Sequence, residues 1–141
     1  MRAVIFALVF AFTSLTGPQY VDAEVAADIR AGVQQTIDEQ IAAFRADDAE
    51  LAYSFAAPTI QRMFPTPGTF MNMVRQGYQP VYRPQSYAFG DLVEHFGQMM
   101  QSVSVIGPDG RPYTAIYTLT EIDGEWRITG CRITEPPGES A

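Results

Sequence analysis

Over residues 24–44 the apolar side chains Val25, Ile29, Val33, Ile37, Ile41 and Phe44 recur at spacings of four and then three, which draws one stripe along a long helix. Polar residues fill its other faces. Ala46 breaks the rhythm, and Asp47 followed three positions on by Glu50 reads as an acidic capping box that opens a second helix, with Leu51, Ala52 and Phe55 turned inward. That helix must stop before Pro58, because the residue ahead of a proline is pushed out of helical geometry. Pro58 suits the first position of another short helix through Ile60, Met63 and Phe64, closed by Pro65. Thr66-Pro67 repeats the cap-and-proline start and launches a helix through Phe70, Met73 and Val74 that ends at Gly77. Residues 78–84, bent by Pro80 and Pro84, read as an extended connector.

The period then changes to two. Tyr87 and Phe89, then Met99, Val103 and Val105, then Tyr113, Ala115, Tyr117 and Leu119, then Trp126 and Ile128 alternate with mostly polar neighbours, which predicts four half-buried strands. Gly107-Pro108-Asp109-Gly110 and Asp123-Gly124 supply the turns of an antiparallel meander. In the last strand the inward parity switches from Trp126 and Ile128 to Cys131 and Ile133, so one bulged residue is expected at Gly130. The pattern predicts an α+β domain over residues 24–135, a long helix and short helices packed on a curved antiparallel sheet. Residues 136–141, which hold Pro136, Pro137 and Gly138, read as a disordered tail.

Upstream, Met1-Arg2 followed by an apolar run over residues 3–12 and then Gly17-Pro18 reads as a secretory signal with cleavage after Ala23. An uncleaved amphipathic anchor is the competing reading. The run is too short to span a bilayer, which takes about 20 apolar residues, so the mature chain is expected in the periplasm or secreted, with no transmembrane span. Cys131 is the only cysteine, so no internal disulfide is available and the core alone must hold the fold. The formal net charge of -7 argues against nucleic acid as a partner. All 9 basic side chains are arginine, which excludes Schiff-base chemistry.

The stretches Phe44-Arg45-Ala46-Asp47-Asp48, Ala57-Pro58, Phe64, Met73-Val74, Gly77-Tyr78, Pro80-Val81-Tyr82-Arg83-Pro84 and Trp126-Arg127-Ile128-Thr129-Gly130-Cys131 together resemble the pattern of bacterial domain-of-unknown-function family 4864. The order of elements is similar to the cone-shaped fold of the nuclear transport factor 2-like superfamily. The resemblance implies a fold and a bacterial setting. It implies no activity, since superfamily relatives range from isomerases and hydrolases to binding modules.

Asp47 and Asp48 are adjacent carboxylates that fit helix capping better than acid/base work, and an acid/base pair would need environments that separate their proton affinities. His95 is the only histidine, and neither a nucleophile nor a ligand cluster is tied to it by spacing, so no catalytic residue, metal or cofactor is expected. Asp91 is the one acid worth inspecting as a base. Tyr78, Tyr82 and Arg83 on the connector, with Phe64, Phe70, Met73 and the inward Tyr113 and Trp126, are the candidates for an apolar pocket carrying a few polar handles. The same side chains equally suit a plug that fills the cone. The leading expectation is a non-catalytic binding module for a small apolar or weakly acidic ligand or for an envelope protein. The alternatives are an isomerase- or hydrolase-type enzyme using the same cavity, and a structural homodimer joined through Thr114, Ile116 and Thr118 on the outer sheet face.

Overall fold

The computed structural model describes residues 23–135, so the expected signal, Ala23 excepted, and the expected tail lie outside the described residues. Helix α1 (Ala23–Arg45) is followed by four short helices, α2 (Ala49–Ser54), α3 (Pro58–Met63), α4 (Pro67–Gly77) and α5 (Gln79–Tyr82). Strands β1 (Ser86–His95), β2 (Gln98–Ile106), β3 (Pro112–Ile122) and β4 (Glu125–Thr134) then form an antiparallel sheet in the order β1-β2-β3-β4. The architecture is α+β, with the helices on one face of the meander. Among the described residues no helix is long and apolar enough to cross a membrane.

The stripe on α1 does what its spacing predicts, since Val33, Ile37, Ile41 and Phe44 are buried against Val103, Val105, Ala115, Tyr117, Leu119 and Ile128 of the sheet. Each such side chain, fully buried, contributes about 1.5–3 kcal/mol. Val25 is the exception: it is 48% exposed, one end of the stripe overshooting the core. Trp126 lies on α1 at Gly32, where an added Cβ would sit 2.6 Å from indole Cδ1. Only glycine lets the helix approach that closely.

The end of α1 departs from the expected capping box. Asp48 N–H donates to Ala43 O at 2.9 Å and Asp47 N–H to Phe44 O at 3.0 Å, the paired bonds of a Schellman stop. Asp47 takes the left-handed position, at φ 52°, that glycine usually fills. The cap of α2 is therefore Asp48, whose side chain accepts from Leu51 N–H at 3.2 Å, and Glu50 takes no part in it. Of the residues expected inward on α2, Ala52 is fully buried, whereas Leu51 is 46% exposed, so the buried face is narrower than the expected one. Thr66 caps α4 through a reciprocal box with Thr69, as its cap-and-proline start predicts. The connector expected over residues 78–84 contains a helix, since Pro80 sits in the first turn of α5, where a missing N–H is harmless.

Two bulges shape the sheet. In β4 the partners run Thr118 with Gly130 and then Leu119 with Ile128, which leaves Thr129 surplus beside Gly130 and reverses the facing of everything after it. In β1 the register shifts between Phe89 and Leu92, and buried Gln101 fills that gap. Its amide nitrogen reaches the carbonyls of Gly90 at 3.0 Å and Ser102 at 2.8 Å, while its oxygen accepts from Gln34 of α1 at 3.2 Å. The linker between α2 and α3 also joins the sheet: Ile128 N–H donates to Phe55 O and Ala57 N–H to Ile128 O, both at 2.8 Å.

Gly32→Ala tests the contact between α1 and the sheet, because propensity and packing predict opposite signs. Alanine gains about 0.5–1 kcal/mol in a helix interior, whereas overpacking loses about 1–3 kcal/mol. Urea denaturation is expected to show net destabilisation, and Gly32→Ala is expected to be harmless in a Trp126→Ala background.

Candidate functional site

A cavity of about 210 Å³ lies between the short helices and the second half of the sheet. Phe44 and Gln40 of α1 form its floor, with Phe70 and Val74 of α4. Tyr117 of β3 and Ile128 to Cys131 of β4 form the opposite wall. Ala56, Ile60, Met63, Met73, Tyr78 and Val81 of α5 complete the lining, and Met63 is 72% exposed, so the opening lies on its side. The gap exists because the linker holds the α2–α3 corner to β4 only at Ile128, beyond which the helices and the strand part company.

The walls are apolar with one conspicuous exception. Tyr117 is 1% exposed, and its buried hydroxyl has no well-formed hydrogen bond, its one polar neighbour being the weakly accepting Cys131 thiol, although almost every buried polar side chain has a proper partner. Burial pushes the phenol well above its ordinary value, with the nearby Cys131 adding to the effect, so it stays a protonated donor. Cys131 is half-buried overall, and burial pushes its thiol up to about 12. It is an un-ionised thiol rather than a nucleophile. Gln40 spends its amide N–H on Ala52 O at 3.1 Å, and Thr129 shares hydrogen bonds with Gln98 and Thr118 at 3.1 and 3.0 Å.

Of the residues singled out from sequence, the cavity gathers Met73 and Tyr78, together with Phe70. Phe64 is half-buried beside it, and its carbonyl accepts from Tyr53 Oη at 2.7 Å. Trp126 belongs to the contact with Gly32, and Tyr113 lies at the β2–β3 turn, where its hydroxyl donates to Asp109 Oδ2 at 2.6 Å. That hydrogen bond holds Asp109 below the usual carboxylate range, helped by the Arg111 N–H.

Tyr82 and Arg83 are part of a separate cluster built on Asp47. Arg83 Nη2 pairs with Asp47 Oδ2 at 2.9 Å, its Nη1 donates to Phe44 O at the end of α1, and its guanidinium lies 4.1 Å above the Tyr82 ring. Tyr82 donates to Asp47 Oδ1, and Arg75 Nη2 stands 3.5 Å from the same oxygen. The Tyr82 hydrogen bond, with Arg83 behind it, holds Asp47 below its ordinary value. These side chains lock the α1 terminus to α4 and α5. Asp91 lies at the β1 bulge, exposed, where its carbonyl faces Gln101, and His95 is exposed with its ring 4.4 Å from that of Phe96. Among the described residues no group of three His, Cys, Asp or Glu side chains converges as a metal site would require.

A comparison with family models matches residues 26–141 to the family described as Domain of unknown function (DUF4864). The chain belongs to DUF4864. A comparison with curated proteins found no match. In this DUF4864 chain the cavity residues come from α1, α3, α4, α5, β3 and β4, and the sequence reading missed the one that matters most, Tyr117. Its inward parity between Ala115 and Leu119 was a legible signal. That its hydroxyl would lack a well-formed hydrogen bond was not, because partners at such a position come from elements far away in sequence.

Two outcomes are expected here. Since Cys131 holds its proton more tightly folded, at about 12, than at the ordinary 9.0, its contribution is complete below about pH 9 and is lost as pH rises toward 12. Urea midpoints should fall over that window, less steeply in Cys131→Ala, and native labelling near pH 8 should run about 100-fold or more slower than in urea. Arg83→Ala should lower stability by about 1–2 kcal/mol in thermal denaturation, with no rescue by lysine, which lacks the planar fork.

Proposed function

We propose that this protein is a non-catalytic binding module whose cavity takes one small, largely apolar molecule, hydrogen-bonded to the Tyr117 hydroxyl. The observation that carries the reading is a largely apolar cavity with Tyr117 on its wall, whose buried hydroxyl has only the weakly accepting Cys131 thiol as a polar neighbour. An unmade buried hydrogen bond is unfavourable by about 1–3 kcal/mol, and a ligand that supplies the partner recovers it. Binding is favoured over turnover because the cavity lining includes no carboxylate, histidine or arginine, and its phenol and thiol both keep their protons at neutral pH.

The setting belongs to the same proposal. The apolar run over residues 3–12 supports export to the periplasm, and one long helix with short helices on one face of a meander supports a cone of the nuclear transport factor 2-like kind.

The test is native mass spectrometry of protein purified from its own envelope, with thermal-shift measurements on fractionated small-molecule extracts. A bound mass or a shift is expected that Met73→Trp abolishes and Tyr117→Phe weakens. Without ligand, Tyr117→Phe should melt at or above the wild-type temperature, since it removes only an unsatisfied group. No bound mass, and no extract that shifts the wild type, would overturn the reading.

A further inference from the structure

The ligand's chemistry is narrowed by three features of the cavity, and the argument rests on the binding reading above. The first is charge. Tyr117 and Cys131 are the only titratable groups lining the inner walls besides Tyr78, and no cationic side chain lines the space. Arg75 and Arg83 are paired with Asp47 and Arg127 with Glu125, while Arg62, beside Met63 on α3, is exposed and does not line the space. An ion entering here would give up its hydration and meet no opposite charge, a loss far larger than one hydrogen bond recovers.

The second feature is size. A cavity near 150 Å³ lined by Leu, Ile and Phe holds benzene, so about 210 Å³ scales to roughly eight non-hydrogen atoms. That is one ring with a short substituent, well below the range of about 300–1,000 Å³ for drug-sized ligands. The third is the character of the walls. Phe44 and Phe70 stand with ring centroids 6.4 Å apart, and Met63 and Met73 bring thioethers to the opening. Aromatic faces and polarizable sulfur both favour a flat aromatic guest over a branched aliphatic one.

We infer that the cavity selects an uncharged, single-ring aromatic compound bearing one hydrogen-bonding oxygen, set against the Tyr117 hydroxyl. Tyr117 donates to a carbonyl or hydroxyl oxygen on the substituent while the ring lies among Phe44, Phe70 and Met73. Ionised relatives of the same shape are rejected because the site offers them no partner charge.

The test uses isothermal titration or saturation-transfer NMR on the full chain at pH 7.5 with four probes of one shape: benzyl alcohol, toluene, benzoate and benzylammonium. Benzyl alcohol is expected to bind at least tenfold more tightly than either ion. Tyr117→Phe should weaken benzyl alcohol by roughly two- to tenfold, in keeping with one neutral hydrogen bond, and leave toluene unchanged. Met73→Trp should abolish binding of both neutral probes. Benzoate or benzylammonium binding as tightly as benzyl alcohol would overturn the inference and leave the binding reading intact. No probe binding to the wild type would also overturn it, and the mass and charge of the copurified ligand would then decide separately whether the binding reading survives.

Discussion

Two hydrogen bonds at Ile128 govern how the helical half sits on the sheet. Strand β4 is an edge, and an edge presents unpaired N–H and C=O groups that need a partner. Here the linker between α2 and α3 acts as a strand of one residue: Phe55 O and Ala57 N–H take both backbone groups of Ile128. Pro58 makes this possible twice over, because it holds Ala57 in extended geometry and starts α3 immediately afterwards. The contact is strong but brief. Having touched β4 once, the chain turns away into α3, and the space left between that helix, α4 and the strand becomes the cavity.

Local chemistry was readable from the sequence, and long-range chemistry was not. The α1 stripe, the Thr66-Pro67 start, the Asp123-Gly124 turn and the parity switch near Gly130 each depend on neighbours within a few residues, so spacing revealed them. Asp47 shows the limit. Two adjacent aspartates follow α1, and the pattern cannot say which one caps α2 and which takes the left-handed position. The answer depends on Arg83, which is 36 residues away and also holds Phe44 O. The same blindness affected the pocket candidates. Composition singled out Tyr82 and Arg83 because they are the kinds of groups that bind ligands, yet Asp47 occupies both.

Gln101 and Tyr117 make an instructive pair. Both are buried on neighbouring strands and both carry hydrogen-bonding groups into the interior. Gln101 sits where the β1 bulge leaves carbonyls without partners, and it serves as the missing rung between α1, β1 and β2. Tyr117 lies on the wall of the cavity, and its hydroxyl has only the weakly accepting Cys131 thiol beside it. One polar group stabilises the fold. The other makes no such link between elements.

The surplus residue in β4 carries a consequence at the level of the gene rather than the side chain. Because facing alternates along a strand, the bulge lets one added codon be absorbed at Thr129 while every later position keeps its partner on β3 and its facing. An in-frame deletion there would make Ile128 opposite Leu119 and Gly130 opposite Thr118 consecutive rungs of a regular ladder, so Cys131 and Ile133 would keep their inward facing while the local bend of the strand would be lost. Among descendants of this chain, loss of one residue at this point would therefore alter the curvature of the strand beside the cavity while Cys131 stayed in register on its wall.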